Sequence, residues 1–283
     1  NTELRALTDA RLFEFTDFVT YDDGEQPLVS VIEYLSGTRP LENLFRVKYL
    51  LNGKVESSVH KEKNIPFTDL PGPDYTGLPI DRYISMLELP NPMHRMWSDF
   101  RWNKLMLAHG CYWKKCTFCD THLDYINRFE PQKASKIVDQ MEALIGQTGG
   151  TGFHFIDEAA PPALLRAISK EILKRSLKVS WWGNIRFDKQ FDDELAELMA
   201  DAGCVAVTGG LEVASKRLLA LIDKGVTIEQ VASVTSNFKR HGIYVHAYLI
   251  YGFPTESVQE TVDSLEIVRQ LFKNDCLDSA NWH

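Results

Sequence analysis

From residue 153 to the end, the chain repeats one arrangement about five times: a short apolar run, a polar or glycine-containing end, then a helix-length amphipathic segment. The run 153–156 ends at Asp157-Glu158, and 179–182 ends at Gly183-Asn184-Ile185-Arg186. The run 205–207 leads to Gly209-Gly210-Leu211-Glu212, 244–250 to Gly252-Phe253-Pro254-Thr255-Glu256, and a last run opens at 277. Helices are expected over 135–145, 163–173, 191–202, 214–222, 227–241 and 256–272, where apolar residues recur at helical spacing and Pro161-Pro162, Gly149-Gly150 and Gly203 mark starts and stops. Alternation at this spacing allows a parallel sheet and little else, because parallel neighbours need a crossover of a dozen or more residues. Ligands of such βα folds bind at the carboxyl ends of the strands, so the polar residues there are the site candidates.

One strand-like run upstream, 105–108, leads into a different feature. Cys111, Cys116 and Cys119, three of the chain's five cysteines, fall within nine residues at spacing C-x4-C-x2-C. Three thiolates on one loop suit a soft metal centre, iron or zinc. A four-iron cluster with three protein ligands keeps one iron open. The same spacing opens plant-type ferredoxin sites, which need a fourth cysteine. Cys204 and Cys276 remain, the first reading as a buried core thiol and neither lying in a second ligand-like cluster. A closed structural zinc site is the alternative, with His109, Asp120 or His122 as fourth ligand.

The chain of 283 residues, 44% hydrophobic with a net charge of −8, has the composition of a globular protein and no lysine- or arginine-rich run, which argues against a general nucleic-acid surface. No apolar stretch reaches the length of a membrane span. Clustered cysteines without a signal peptide point to a reducing cytoplasm. Lacking an initial methionine, the sequence reads as a fragment of a longer protein.

Ahead of the cysteines, a short helix is expected over 3–12 and a strand over 13–19, then a turn at Asp22-Asp23-Gly24-Glu25. A helix follows from Pro27 through Leu35, and a hairpin over 47–51 and 54–59 turns at Asn52-Gly53. Pro66, Pro71, Pro73, Pro79, Pro90 and Pro92 forbid long helices over 61–103 and indicate an extended linker. Trp97, Phe100 and Trp102 are expected to pack on the barrel, as is the pair Trp181-Trp182. His154 and His246 alternate with apolar residues and either face the barrel interior or sit as satisfied core groups.

The cysteine loop resembles the cluster-binding loop of radical S-adenosylmethionine (radical SAM) enzymes. Their commoner pattern is C-x3-C-x2-C, so this loop has one extra residue between Cys111 and Cys116. Phe118 stands where that family has an aromatic or large apolar residue. The resemblance covers roughly 104–283 and implies an α/β fold: a partial (β/α)6 TIM-like barrel behind an N-terminal α/β, Rossmann-like remnant. It implies a 4Fe–4S cluster on Cys111, Cys116 and Cys119. It also implies S-adenosylmethionine held at its amino group by Asp157 and Glu158, at its carboxylate by Arg186, at its ribose by Glu212, and at its adenine by the segment containing Gly252 and Pro254. A 5′-deoxyadenosyl radical would then abstract hydrogen from an unidentified substrate, with a reductant such as flavodoxin or ferredoxin as partner. Residues 1–60 resemble the last part of the cobalamin-binding domain found before many radical SAM barrels, with Asp22-Asp23-Gly24-Glu25 where that domain usually reads Gly-x-Gly-Glu, and 61–103 resemble its linker.

A Rossmann-like domain binds its ligand at the carboxyl ends of several strands together, and residues 1–60 supply one or two. This chain is therefore expected to bind no cobalamin with useful affinity, whatever a longer form does. Titration with hydroxocobalamin, followed by visible spectroscopy, checks this; stoichiometric tight binding would mean that the segment is a complete cofactor site.

Overall fold

The computed structural model describes residues 2–82 and 102–283, so Pro90, Pro92, Trp97 and Phe100 lie outside the described residues. The N-terminal part contains α1 (Thr2–Ala6), β1 (Phe18–Thr20), α2 (Glu25–Leu35), β2 (Val47–Leu51) and β3 (Lys54–Ser57). The strand expected over 13–19 is confined to Phe18–Thr20, because Asp9 caps a 3-10 turn over Ala10–Glu14, accepting from the Arg11 N–H at 3.0 Å. The three strands form an antiparallel sheet in the order β1-β2-β3, and α2 covers it through a small core of Val31, Leu44 and Val47. The hairpin turn falls at Asn52-Gly53 as expected. Residues 61–82 carry only two short 3-10 turns.

The second part begins with β4 (Trp102–Leu105) and β5 (Ala108–His109). It continues through α3 (Asp124–Asn127), β6 (Glu130–Pro131), α4 (Ala134–Thr148), β7 (Gly152–Phe155), α5 (Pro162–Lys174), β8 (Ser180–Ile185) and α6 (Asp193–Asp201). It ends with β9 (Cys204–Glu212), α7 (Lys216–Ile222), α8 (Ile228–Arg240), β10 (Tyr244–Leu249), α9 (Val258–Lys273) and β11 (Ser279–Trp282). Six strands form one parallel sheet in the order β11-β10-β9-β8-β7-β4. Each strand thus lies beside its predecessor in the βα series, as right-handed crossovers produce. This is the partial TIM-like barrel.

Alternation along each strand divides the sheet's two faces. Leu105, Phe153, Phe155, Trp181, Ile185, Val207 and Val245 enter the main core with Ile137, Met141, Leu165, Ile168, Leu195 and Phe238 from the helices. The other face carries Lys104, His154, Trp182 and Ala206, which are register partners across four strands. His154 stacks on Trp182 with ring centroids 3.6 Å apart. His246 is fully buried, with the Ser279 hydroxyl 2.6 Å from its Nδ1. Trp102 packs against Trp182, and Cys204 and Cys276 are buried far along the chain from the cysteine loop. Among the described residues no helix is long and apolar enough to cross a membrane.

The two parts meet through polar groups. Asp23 is buried; it lies 2.8 Å from His109 Nε2, accepts from Asn64 at 2.8 Å and pairs with Arg128. Arg46 reaches Asp124 at 3.0 Å. His109 therefore acts in this junction, where burial works to lower its pKa and the Asp23 hydrogen bond, with the Arg128 carbonyl, overrides it upward.

At the end of β7, Asp157 accepts from the backbone N–H of Leu107 at 2.9 Å and of Ala108 at 2.7 Å. It thereby joins the β7 end to the segment running into β5. It is 3% exposed, and burial raises its pKa to about 7 against the pull of those two amides. A raised folded-state pKa means that the folded chain holds the proton more tightly. Asp157's contribution to stability is full below about pH 4 and is lost as pH rises through about 7. Asp157→Asn should flatten this fall, as read by urea unfolding at about pH 5 and about pH 8.

Candidate functional site

The cysteine loop leaves β5 at Gly110, whose φ is +73°. A Cβ there would lie 2.9 Å from the Ile126 carbonyl oxygen and closer still to that of Arg128, so only glycine fits. Hydrogen bonds within the protein shape the loop. Cys111 N–H donates to Ile126 O at 3.0 Å, and Cys119 N–H to Cys116 O at 3.2 Å. Thr117 donates from its N–H to Ile222 O at 2.9 Å and from Oγ1 to Leu221 O at 3.0 Å, while Trp113 Nε1 donates to Asp223 O at 2.8 Å. The loop is thus fastened to the carboxyl end of α7.

Cys111, Cys116 and Cys119 are free, partly buried, and line one cavity of about 540 Å3. The strand ends bring Glu158, Arg186 and Glu212 into the same wall, with Phe118 and Lys224. Burial pushes the Cys116 thiol up while Lys224 and Arg186 pull it down, and burial with the neighbouring Cys116 and Cys111 thiols pushes Cys119 up. The donor set suits an iron–sulfur cluster: soft sulfur ligands spread along a cavity wall, with cations facing them. Among the described residues no group of three or more His, Cys, Asp or Glu is gathered around a single ion. Of the residues weighed as a fourth ligand for zinc, His109 is engaged by Asp23 and the Arg128 carbonyl, His122 is exposed, and Asp120 is exposed on the wall of the cysteine cavity.

Arg186 is 3% exposed at the end of β8. One Nη2 donates to Lys224 O at 2.6 Å, and the guanidinium stacks over Trp113 at 4.0 Å. Its Nε is buried without a hydrogen-bond partner, so this side chain has a donor to offer a carboxylate. Glu212 ends β9 with φ +63°, uncommon for a residue with a side chain. The ladder to β10 shifts there: Tyr248 pairs with Gly210 and Leu249 with Glu212, so Leu211 is an extra residue that re-aims the carboxylate. Gly210 makes room for it, since a Cβ there would lie 2.7 Å from Lys224 Nζ and closer still to Glu212 Oε1. Glu212 and Lys224 form a buried ion pair at 2.5 Å.

The expected amino-group pair divides. Glu158 is exposed and lines the cysteine cavity, whereas Asp157 binds backbone amides and lines a neighbouring cavity. Gly252 and Pro254 are exposed in the loop after β10 and do not line the cysteine cavity. Sequence reasoning missed Lys224, in the Asp-Lys-Gly connection between α7 and α8, and Tyr112, which donates to Asp188 beside Arg186. The motif Glu212 belongs to was legible; its cationic partner 12 residues on was not.

Removing one member of a buried ion pair strands the other. Lys224→Met should destabilise the chain by about 3–5 kcal/mol, and the double variant Glu212→Gln/Lys224→Met should recover much of that loss. Denaturant unfolding of the double-mutant cycle reads this directly. Additive losses would show that the two charges do not depend on each other.

The sequence model described as "Radical SAM superfamily" matches residues 105–268, or 164 of the 283. Among curated proteins, the chain is 26% identical over 257 residues to an uncharacterized methyltransferase from Pyrococcus horikoshii, covering 90% of this chain and 53% of that protein. It is 30% identical over 179 residues to the anaerobic magnesium-protoporphyrin IX monomethyl ester cyclase of Rubrivivax gelatinosus, covering 62% and 31%. The chain thus spans about half or less of the length of these relatives. In fold it is similar to the radical S-adenosylmethionine methyltransferase TsrM from Kitasatospora setae, solved with cobalamin and a 4Fe–4S cluster bound, with TM-score 0.68 at 18% identity over 93% of this chain and 52% of that one. The cobalamin-dependent S-adenosylmethionine radical enzyme OxsB matches with TM-score 0.68 at 19% identity over 91% and 37%. With three cysteines on a loop at the mouth of a six-stranded parallel sheet and the superfamily model spanning more than half of its length, the chain belongs to the radical SAM superfamily.

Proposed function

We propose that residues 104–283 form a radical SAM catalytic unit in which Cys111, Cys116 and Cys119 hold a 4Fe–4S cluster. The single observation that carries this is the cavity itself: three thiols on one wall, with Glu158, Arg186 and Glu212 converging from the ends of β7, β8 and β9. Arg186 would pair with the methionine carboxylate through its unpartnered Nε. Glu158, without Asp157, would accept from the amino group. Glu212 would accept from the ribose hydroxyls while Lys224 balances its charge. Phe118, 46% exposed, would offer its ring to S-adenosylmethionine. Gly252 and Pro254 would reach the adenine from the loop after β10. With cluster and S-adenosylmethionine bound, the chemistry supplied is reductive cleavage of the carbon–sulfur bond, giving a 5′-deoxyadenosyl radical for hydrogen abstraction. The protein's part is to bury the site, orient the donors and exclude water.

Residues 1–60 are read as the C-terminal part of a cobalamin-binding-like domain and 61–103 as its linker, which the similarity to two cobalamin-containing structures supports. A cytoplasmic setting and an electron donor of the flavodoxin or ferredoxin type complete the proposal.

Anaerobic reconstitution with iron and sulfide should load close to four irons per chain, and Cys116→Ala or Cys119→Ala should abolish this. A normal cluster in either variant would show the ligand assignment to be wrong. With dithionite, 5′-deoxyadenosine should form from S-adenosylmethionine; S-adenosylhomocysteine appearing beside it assigns methyl transfer, and its absence assigns hydrogen-abstraction chemistry.

A further inference from the structure

A second cavity, of about 520 Å3, adjoins the cysteine cavity and shares Tyr125 and Glu158 with it. It lies between the Asp22-Asp23-Gly24-Glu25 loop and the open edge of the sheet at β4. Among the described residues that line it are two basic side chains, His109 and Lys104. His109 is matched to Asp23. Lys104 is not matched: among the described residues no carboxylate pairs with it, and burial alone lowers its pKa.

Among the described residues the Lys104 ammonium is held by His154 Nδ1, at 2.9 Å. Lysine has only donors, so His154 must accept through Nδ1 and carry its proton on Nε2. Burial, with Lys104 beside it, holds the His154 pKa down at about 3, so the ring stays neutral. Stacking on Trp182 fixes the ring plane. The neutral imidazole orients the ammonium without cancelling its charge. Among the described residues no further side-chain partner engages the half-buried ammonium, and Lys104 lines the cavity. The carboxylates around it are otherwise engaged: Asp22 and Asp23 pair with Arg5 and Arg128, and Asp157 accepts backbone amides. Glu25 and Glu158 are exposed.

We propose that Lys104, oriented by His154 and Trp182, is an oxyanion subsite that docks a carboxylate or phosphate group of the substrate beside the cysteine cavity. Naming the bound group as the substrate's rests on the radical SAM reading above. A half-buried cation that no described carboxylate neutralises is costly to keep, and an acceptor-only group bearing negative charge is the ligand that relieves it.

Calorimetric titration of the full chain with inorganic pyrophosphate, and separately with citrate, at fixed ionic strength tests the subsite. Wild type should bind at least one of the two at a single site. Lys104→Met should weaken that binding by about tenfold or more, as loss of a charge-assisted contact does, and Lys104→Arg should restore it. Thermal unfolding of Lys104→Met should show a midpoint equal to or above wild type, since an unpaired half-buried charge has gone. A preference for pyrophosphate marks a phosphorylated substrate, and a preference for citrate a carboxylated one. Equal affinity in Lys104→Met, or no heat with either anion in wild type, overturns the proposal. Iron content of the same preparations reports on the radical reading separately: failure to load iron with anion binding intact sinks that reading and leaves the subsite standing.

Discussion

The position of the candidate site depends on one buried carboxylate. Asp157 stands at the end of β7 and accepts the amides of Leu107 and Ala108, the two residues that carry the chain out of β4 toward Cys111. The parallel register of β4 and β7 already sets Leu105 against Phe155. Asp157 extends that alignment past the last ladder bond, so the loop of cysteines begins at a defined height above the sheet. The next residue, Glu158, then faces the cavity that the loop encloses. One tie therefore sets the distance between the thiols and the first carboxylate opposite them.

The rest of the wall is built by charges that balance one another locally. Glu212 reaches Lys224, the Lys224 carbonyl receives Arg186, and Arg186 lies over Trp113 of the cysteine loop. Residues from β8, β9, the α7–α8 connection and the loop are thus joined without any of them touching only its sequence neighbours. A left-handed Glu212 and a bulge in β9 are local conflicts tolerated because this chain of contacts over-determines them. Charge meets charge at Glu212–Lys224 and again where Arg186 pairs with Asp188 at 3.3 Å, while the other two links use a backbone oxygen and a ring face.

The period of the chain made the architecture legible. Runs of apolar residues separated by amphipathic segments gave the six parallel strands and their intervening helices, and Gly149 and Gly203 mark ends that capping predicts. Strand length was less legible: β9 runs through Gly209-Gly210 to Glu212, because its glycines accommodate Phe187, Glu212 and Lys224 rather than break the strand. The cysteines, Arg186 and Glu212 could be placed from spacing and strand ends. Asp157 and Glu158 could not be separated, since adjacent carboxylates look alike in sequence, while in the structure the first is buried on the Leu107 and Ala108 amides and the second is exposed. Lys224 carried no pattern at all; a lone lysine between aspartate and glycine reads as surface. The Lys104–His154–Trp182 row is visible only once the register is known, because its members come from three strands 28 to 78 residues apart (182−154 and 182−104).

The hydrogen bonds that shape the cysteine loop join protein to protein, among them Cys111 to Ile126, Cys119 to Cys116, Thr117 twice to the end of α7, Trp113 to Asp223 and Tyr112 to Asp188. Small zinc modules differ, since metal binding there supplies the folding free energy and the apo chain is unstructured. Here the conformational entropy of the loop is already met by its own anchors. A cluster on such a scaffold would fill a prepared vessel rather than seed a fold. The rate of its assembly should follow delivery of iron and sulfide and the deprotonation of buried thiols, and chelation should strip the metal while the barrel stays folded.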